Sequence, residues 1–316
     1  MNIYDEISRN NRRTLLTVIV FLAVVLAIIF IALFIIIIQV GEVPFRIAWS
    51  NTLSVFPFIS AFATIIILLW TIISYRFGDT MILKFVGARA VERTTHFDLY
   101  NTVENLAITC GLPVPKIYII NDESLNAFAT GRDPHHSVIC FTTGIVAKLS
   151  TQELEAVAAH EMAHIANYDI RLQLIIVTVV GMIAMLGEIM LRSGYLASGR
   201  DNKGGGIAFA GLFVLLIGYP LLTLMKLSLS RNREYLADAT GSYYTRDPLS
   251  LASALQKISA DPRVESADQM KAAAHLFIDD PSVEAGRQHA RVSWFARMLA
   301  THPPIHDRID RLRGAA

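Results

Sequence analysis

Residues 150–165 read Ser150-Thr151-Gln152-Glu153-Leu154-Glu155-Ala156-Val157-Ala158-Ala159-His160-Glu161-Met162-Ala163-His164-Ile165. Ser150 followed three residues later by Glu153 is a capping box, in which each side chain satisfies a backbone N–H left open by the first helical turn. The helix it predicts has small or apolar neighbours around the histidines, Ala158, Ala159 and Ile165, so it reads as packed. His160 and His164 stand four apart and share a face, which lets both imidazoles reach one metal ion. Glu161 falls beside the position that a catalytic metal keeps open. There it can take a proton from water whose pKa zinc lowers towards 7. The plainer reading is an exposed helix that happens to carry two histidines. Burying two histidines and a glutamate without a compensating partner is costly, which favours the metal.

A catalytic zinc usually has three protein ligands and one open position. Several His, Asp or Glu residues remain as the third, and the best placed is Glu234, in Arg231-Asn232-Arg233-Glu234-Tyr235-Leu236-Ala237-Asp238. Asp238 follows on the same helical face, suited to orient a ligand histidine from behind. The plainer alternative is a solvated helix with Arg233 and Glu234 as surface charges.

Outward from these motifs the chain turns apolar. Of its 316 residues 53% are hydrophobic and 17% charged, with a mean hydropathy of +0.45, against about a quarter charged in ordinary soluble domains. The formal net charge of +1 supplies no basic surface for nucleic acid. Cys110 and Cys140 form no CxxC pair and fit a reducing cytosol better than a disulfide framework. Leu15–Val40 and Leu53–Ile73 are charge-free and long enough to span. The first lacks a small-residue cleavage site after it and reads as a retained anchor. With a linker of about a dozen residues between them, they form a membrane hairpin. Further runs at about 174–191 and 207–225 complete four expected spans, separated by the Gly-rich stretch Ser193–Gly206. Glu188, near the end of the third, reads as a terminal charge that reaches the interface.

The division is therefore an N-terminal hairpin (1–74), a polar stretch carrying the His160 helix (75–173), a second hairpin (174–225) and a C-terminal polar stretch (226–316). Arg9, Arg12 and Arg13 precede the first span, and Arg76, Lys84, Arg89 and Arg93 follow the second. Lys226, Arg231 and Arg233 follow the fourth, so the positive-inside rule puts both termini and both polar stretches in the cytoplasm. Within the first polar stretch, Phe97, Tyr100, Val103, Leu106 and Ala107 recur at helical spacing, and Gly111 and Pro113 close the helix His96–Cys110. Lys116–Ile120, Asn126–Thr130 and Ser137–Thr142 read as strands of a small antiparallel sheet. Few breakers follow His164, and if the helix continues unbroken, about 15 Å of rise separates His164 from the third span. That would hold the metal just above the cytoplasmic membrane surface.

His160-Glu161-Met162-Ala163-His164, followed beyond two apolar runs by Asn232-Arg233-Glu234-Tyr235-Leu236-Ala237-Asp238-Ala239, resembles the HtpX-type heat-shock membrane proteases, bacterial relatives of the CAAX prenyl endopeptidases. The resemblance covers most of the chain. It implies a mainly α membrane protein with four transmembrane helices and a cytoplasmic α+β zincin-like peptidase domain. It implies one Zn2+ per chain on His160, His164 and Glu234, with Asp238 supporting them. Asn126-Ala127-Phe128-Ala129 resembles the family's edge strand, whose backbone pairs with an extended substrate; a buried strand ending in a turn is the alternative for Asn126. Thr301-His302-Pro303-Pro304, followed by His306 and Arg308, resembles a C-terminal segment whose histidine can stabilise the oxyanion. That role would fall to His302, which is otherwise only a residue entering the helix Ile305–Leu312. His96, His135, His136, His275 and His289 show no ligand spacing.

The expected activity is endopeptidase cleavage of unfolded polypeptide and of cytoplasmic segments of misfolded or damaged membrane proteins, a quality-control role under stress, in the bacterial inner membrane. The rival readings are a site-specific maturation protease of the prenyl-endopeptidase type, a membrane scaffold with a structural zinc, and a transporter.

Overall fold

The computed structural model describes residues 3–41, 43–176, 187–193, 211–212, 231–259 and 303–316. They fall into two compact units, one from 11–74 with 175–225 and the other from 1–10, 75–174 and 226–316.

The first unit carries most of helix α1 (Ile3–Gly41) and of α2 (Phe45–Phe85). Each is long and apolar enough to cross a membrane, and large side chains such as Phe58, Phe62 and Ile72 point outward rather than into a core. Edge-to-face contacts join them, with Phe30 ring centroids 5.5 Å from Trp49 and 5.1 Å from Phe56. The connection is shorter than the dozen residues expected, because α2 begins at Phe45. The polar residues ahead of the apolar run do not stop the helix: Thr52 Oγ1 donates to the Ala48 carbonyl at 2.8 Å and Ser54 Oγ to that of Ser50 at 3.0 Å. Most of the third and fourth expected spans lie outside the described residues. Glu188 is described and exposed, paired with Arg192 one turn later.

The second unit contains a four-stranded sheet of β1 (Arg89–Ala90), β2 (Lys116–Ile120), β3 (Ala127–Asp133) and β4 (His136–Thr142), in the order β1-β2-β4-β3. It is mixed, not antiparallel as expected: β2 and β4 run parallel, with Lys116 opposite Val138 and Ile120 opposite Thr142. The cause is the segment 121–126, which crosses the C-terminal end of β4 and delivers β3 to its far side. Thr142 Oγ1 donates to the Ser124 carbonyl at 2.7 Å, and Gly144 N–H donates to that of Asp122 at 2.9 Å. At Gly144 a Cβ would sit 2.0 Å from the Glu123 carbonyl oxygen, so only glycine admits the crossing chain.

Helix α3 (Phe97–Cys110) ends on Gly111 at φ 64°, the left-handed cap expected of it. A short helix α4 (Thr143–Lys148) leads into α5 (Thr151–Ala166), and α6 (Arg231–Thr245), α7 (Pro248–Ile258) and α8 (Ile305–Gly314) follow. Helix α5 is the centre of this unit. Leu154, Val157, Ala158 and Met162 join Leu106 of α3, Ile139 and Phe141 of β4, Leu255 of α7 and Leu312 of α8 in one core.

Candidate metal centre

The site begins with the cap of α5. Ser150 Oγ accepts from Glu153 N at 3.3 Å, while Glu153 Oε2 accepts from Ser150 N at 2.8 Å. Glu153 also accepts from Ser253 Oγ at 2.6 Å and Lys257 Nζ at 2.7 Å, which ties the start of α5 to α7. Two turns on, His160 and His164 point the same way, their Nε2 atoms 3.2 Å apart.

Helix α6 brings the third group. Glu234 Oε2 lies 3.9 Å from His160 Nε2, and Oε1 lies 3.7 Å from His164 Nε2. Zinc–nitrogen and zinc–oxygen bonds of about 2.0–2.2 Å in a tetrahedron place ligand atoms roughly 3.4 Å apart. The residues therefore fit one ion of that size with little adjustment. What permits the approach is Gly241, where a Cβ would stand 2.9 Å from His160 N. A side chain there would hold α6 off α5.

Each histidine is backed by a carboxylate on its other nitrogen. Asp238 Oδ1 lies 3.0 Å from His160 Nδ1, and Asp169 Oδ2 lies 3.1 Å from His164 Nδ1. Such a partner holds the Nδ1–H tautomer and turns the Nε2 lone pair towards a metal. Each carboxylate meets an arginine in turn: Arg233 Nη1 donates to Asp169 Oδ1 at 3.0 Å, and Arg308 Nη2 donates to Asp238 Oδ1 at 2.7 Å. All of these side chains are buried. With both histidines neutral, as metal ligation requires, four carboxylates (Glu161, Asp169, Glu234, Asp238) against two guanidiniums leave two negative charges among the described residues here, which a divalent cation balances.

Electrostatics follow from burial and neighbours. Burial pushes the Glu161 carboxyl up and Glu234 adds to that, while His160, His164 and the donating Ala129 N–H pull it down; the net direction is upward. A carboxylate held so exchanges protons more readily near neutrality than a solvated one. Burial alone would lower His164, but the Asp169 hydrogen bond and the charges of Glu234, Asp169 and Glu161 outweigh it and raise it to about 9. Burial would raise Asp238, yet Arg308 and His160 hold it down at about 2.

The helix does not continue unbroken beyond His164. Helix α5 ends at Ala166, and Tyr168 takes a left-handed φ of 59° before a new helical stretch starts at Asp169. This break swings Asp169 back under His164. The strand β3 lies at the edge of the sheet. Asn126, Ala127, Phe128 and Ala129 are all buried, because α5 runs along the strand and Ala129 N–H donates to Glu161. Asn126 shapes the corner, its N–H donating to Thr142 Oγ1 at 3.1 Å and its Oδ1 accepting from Ala127 N at 3.0 Å. His302 lies outside the described residues, as do His275 and His289; His135 and His136 are exposed on the β3–β4 turn. Reading the sequence missed the parts played by Asp169, Arg233, Gly241 and Arg308. A buried arginine carries no periodic signal, and Asp169 stands five residues from His164, off its helical face.

A model of peptidase family M48 matches residues 94–316. A protease HtpX homolog of Bacteroides fragilis (strain YCH46) is 40% identical over 98% of this chain and 97% of its own length. Another, from Caldanaerobacter subterraneus subsp. tengcongensis, is 40% identical over 80% of this chain and 83% of its own. Among solved structures, the crystal structure of S. mikatae Ste24p is similar at 19% identity and a TM-score of 0.44, covering 97% of this chain and 66% of that one. The chain belongs to peptidase family M48 and is a membrane metalloprotease.

Proposed function

We propose that this chain is a zinc-dependent endopeptidase of the bacterial inner membrane that cleaves cytoplasmic segments of misfolded or damaged membrane proteins. One arrangement carries the reading: two carboxylate-backed histidines and Glu234 converge, with the buried carboxylate of Glu161 beside them. A closed structural site would favour four protein ligands; among the described residues this one offers three and a base.

His160, His164 and Glu234 would hold one zinc per chain. When bound, zinc supplies Lewis acidity, which polarises a carbonyl and makes water nucleophilic near neutral pH. Glu161 takes the proton from the attacking water and later delivers it to the leaving amine. Asp238 and Asp169 keep the two histidines in the ligating tautomer. Asn126–Ala129, at the edge of the sheet, serve as the substrate-pairing segment through their backbone. His302 donates to the oxyanion.

The four-part division at 74, 173 and 225, the four spans and the cytoplasmic placement of both termini and the site complete the proposal. They are supported by the apolar runs and the arginine bias around them. Substrates then come from cytoplasmic loops and tails, together with unfolded polypeptide.

The test is proteolysis of an unfolded model protein by detergent-purified chain, wild type beside Glu161→Gln, with zinc quantified in both. The expected result is cleavage by the wild type and none by a variant that keeps its zinc. Equal cleavage by both would remove Glu161 as the base. A wild type that holds zinc but cleaves nothing would favour a structural metal.

A further inference from the structure

Among the described residues Arg308 heads the largest fully buried side chains, 1% exposed, on the inward face of helix α8 beside Ile309 and Leu312. A guanidinium cannot shed its charge by losing a proton, so its burial has to be compensated by fixed partners. It grips Asp238 with both arms: Nε donates to Oδ2 at 2.8 Å and Nη2 to Oδ1 at 2.7 Å. The same Oδ1 lies 3.0 Å from His160 Nδ1. Nη1 lies 3.5 Å from Glu234 Oε2. One side chain from the C-terminal helix thus touches both the carboxylate behind a histidine and the carboxylate facing the two imidazoles.

A docking contact for α8 would not need this geometry, and α8 has a separate one. Arg311 Cζ stacks 3.9 Å over the Tyr235 ring of α6, on the outer side. Ile309 and Leu312 supply the apolar contact. Placing a cation beside a cation site opposes metal binding by simple Coulomb repulsion. Arg308 therefore repays its position only if orienting Asp238 and Glu234 outweighs that repulsion.

Resting on the metalloprotease reading above, we propose that Arg308 is a positioning residue of the metal centre. Its fork sets the Asp238 carboxylate that fixes the His160 tautomer and steadies Glu234, so that tight metal binding depends on the docked C-terminal helix. Partners behind metal ligands contribute roughly 10–100-fold to metal affinity, and a bidentate fork is not reproduced by lysine's point charge.

The experiment uses the full-length, detergent-purified chain. Zinc affinity is measured by chelator competition, and the absorption spectrum of the cobalt(II)-substituted protein is recorded. Variants are Arg308→Met, Arg308→Lys and Arg311→Met. The expected result is zinc binding weakened about 10–100-fold in Arg308→Met and by less in Arg308→Lys, with altered cobalt bands in both. Arg311→Met should match the wild type in both readouts, even with a lower unfolding temperature. Should Arg308→Met fail to fold, Arg308→Lys decides alone. Wild-type zinc affinity and wild-type cobalt bands in Arg308→Lys, and in Arg308→Met if it folds, would overturn the proposal while leaving the metal reading intact. A wild-type chain that binds neither ion would overturn the metal reading, and the positioning role with it.

Discussion

Asp169 Oδ2 lies 3.1 Å from His164 Nδ1 although Asp169 stands beyond the end of the helix that carries His164. In a continuous helix, positions five apart point in different directions. The left-handed Tyr168 resets the chain so that the carboxylate comes back beneath the ring. A non-glycine residue in that conformation costs on the order of 1 kcal/mol, and the structure retains it where it completes the second His–Asp pair.

Asp169→Asn keeps an acceptor oxygen but removes the charge that faces both His164 and Arg233. Zinc affinity should fall roughly 10–100-fold, measured by chelator competition on protein whose circular dichroism matches the wild type. An unchanged affinity would mean that an acceptor oxygen suffices to orient His164 and that the charge of Asp169 adds nothing.

Gly241→Ala sets two effects against each other. Alanine gains up to about 1 kcal/mol in a helix interior. Its Cβ, however, would stand 2.9 Å from His160 N, and overpacking of this kind costs typically about 1–3 kcal/mol. The clash should win, lowering the unfolding temperature and loosening zinc together, with Gly241→Val worse. A variant more stable than wild type would show that α5 and α6 separate without penalty.

Glu153 gives a pH-dependent test away from the metal. Burial would raise its carboxyl, but Lys257, Ser253 and the Ser150 N–H hold it down at about 2, against an ordinary 4.5. A depressed pKa in the folded state stabilises above the unfolded value and fades as pH falls through the folded one. Lys257→Met should therefore lower stability at pH 7, by at most about 1 kcal/mol since Lys257 is half exposed. That difference from wild type should shrink between pH 4.5 and 2, followed by thermal unfolding at both ends. A penalty independent of pH would assign the effect to packing.

Orientation is checked by reporter fusions. A fluorescent protein at the C-terminus should mature, and an alkaline phosphatase fused there should stay inactive, because that enzyme requires export. An active phosphatase would invert the proposed topology.

Much of this protein is local and so was legible in the chain itself. The capping box at Ser150, the four-residue spacing of His160 and His164, the Gly111 stop and the apolar runs of α1 and α2 are short-range patterns. Each is set by helical geometry or by hydrophobic length. Even Glu234 and Asp238 showed themselves as a pair on one helical face.

What the tertiary structure alone decided is non-local. Pairwise hydrogen bonding across segment 121–126 makes the sheet mixed, and no alternation of residues along a strand encodes its neighbour. The approach of α6 to α5 depends on the missing side chain at Gly241. The two arginines reach their carboxylates from 64 and 70 residues away. A buried charge is tolerated only where distant partners converge on it, and that convergence exists only in the folded chain.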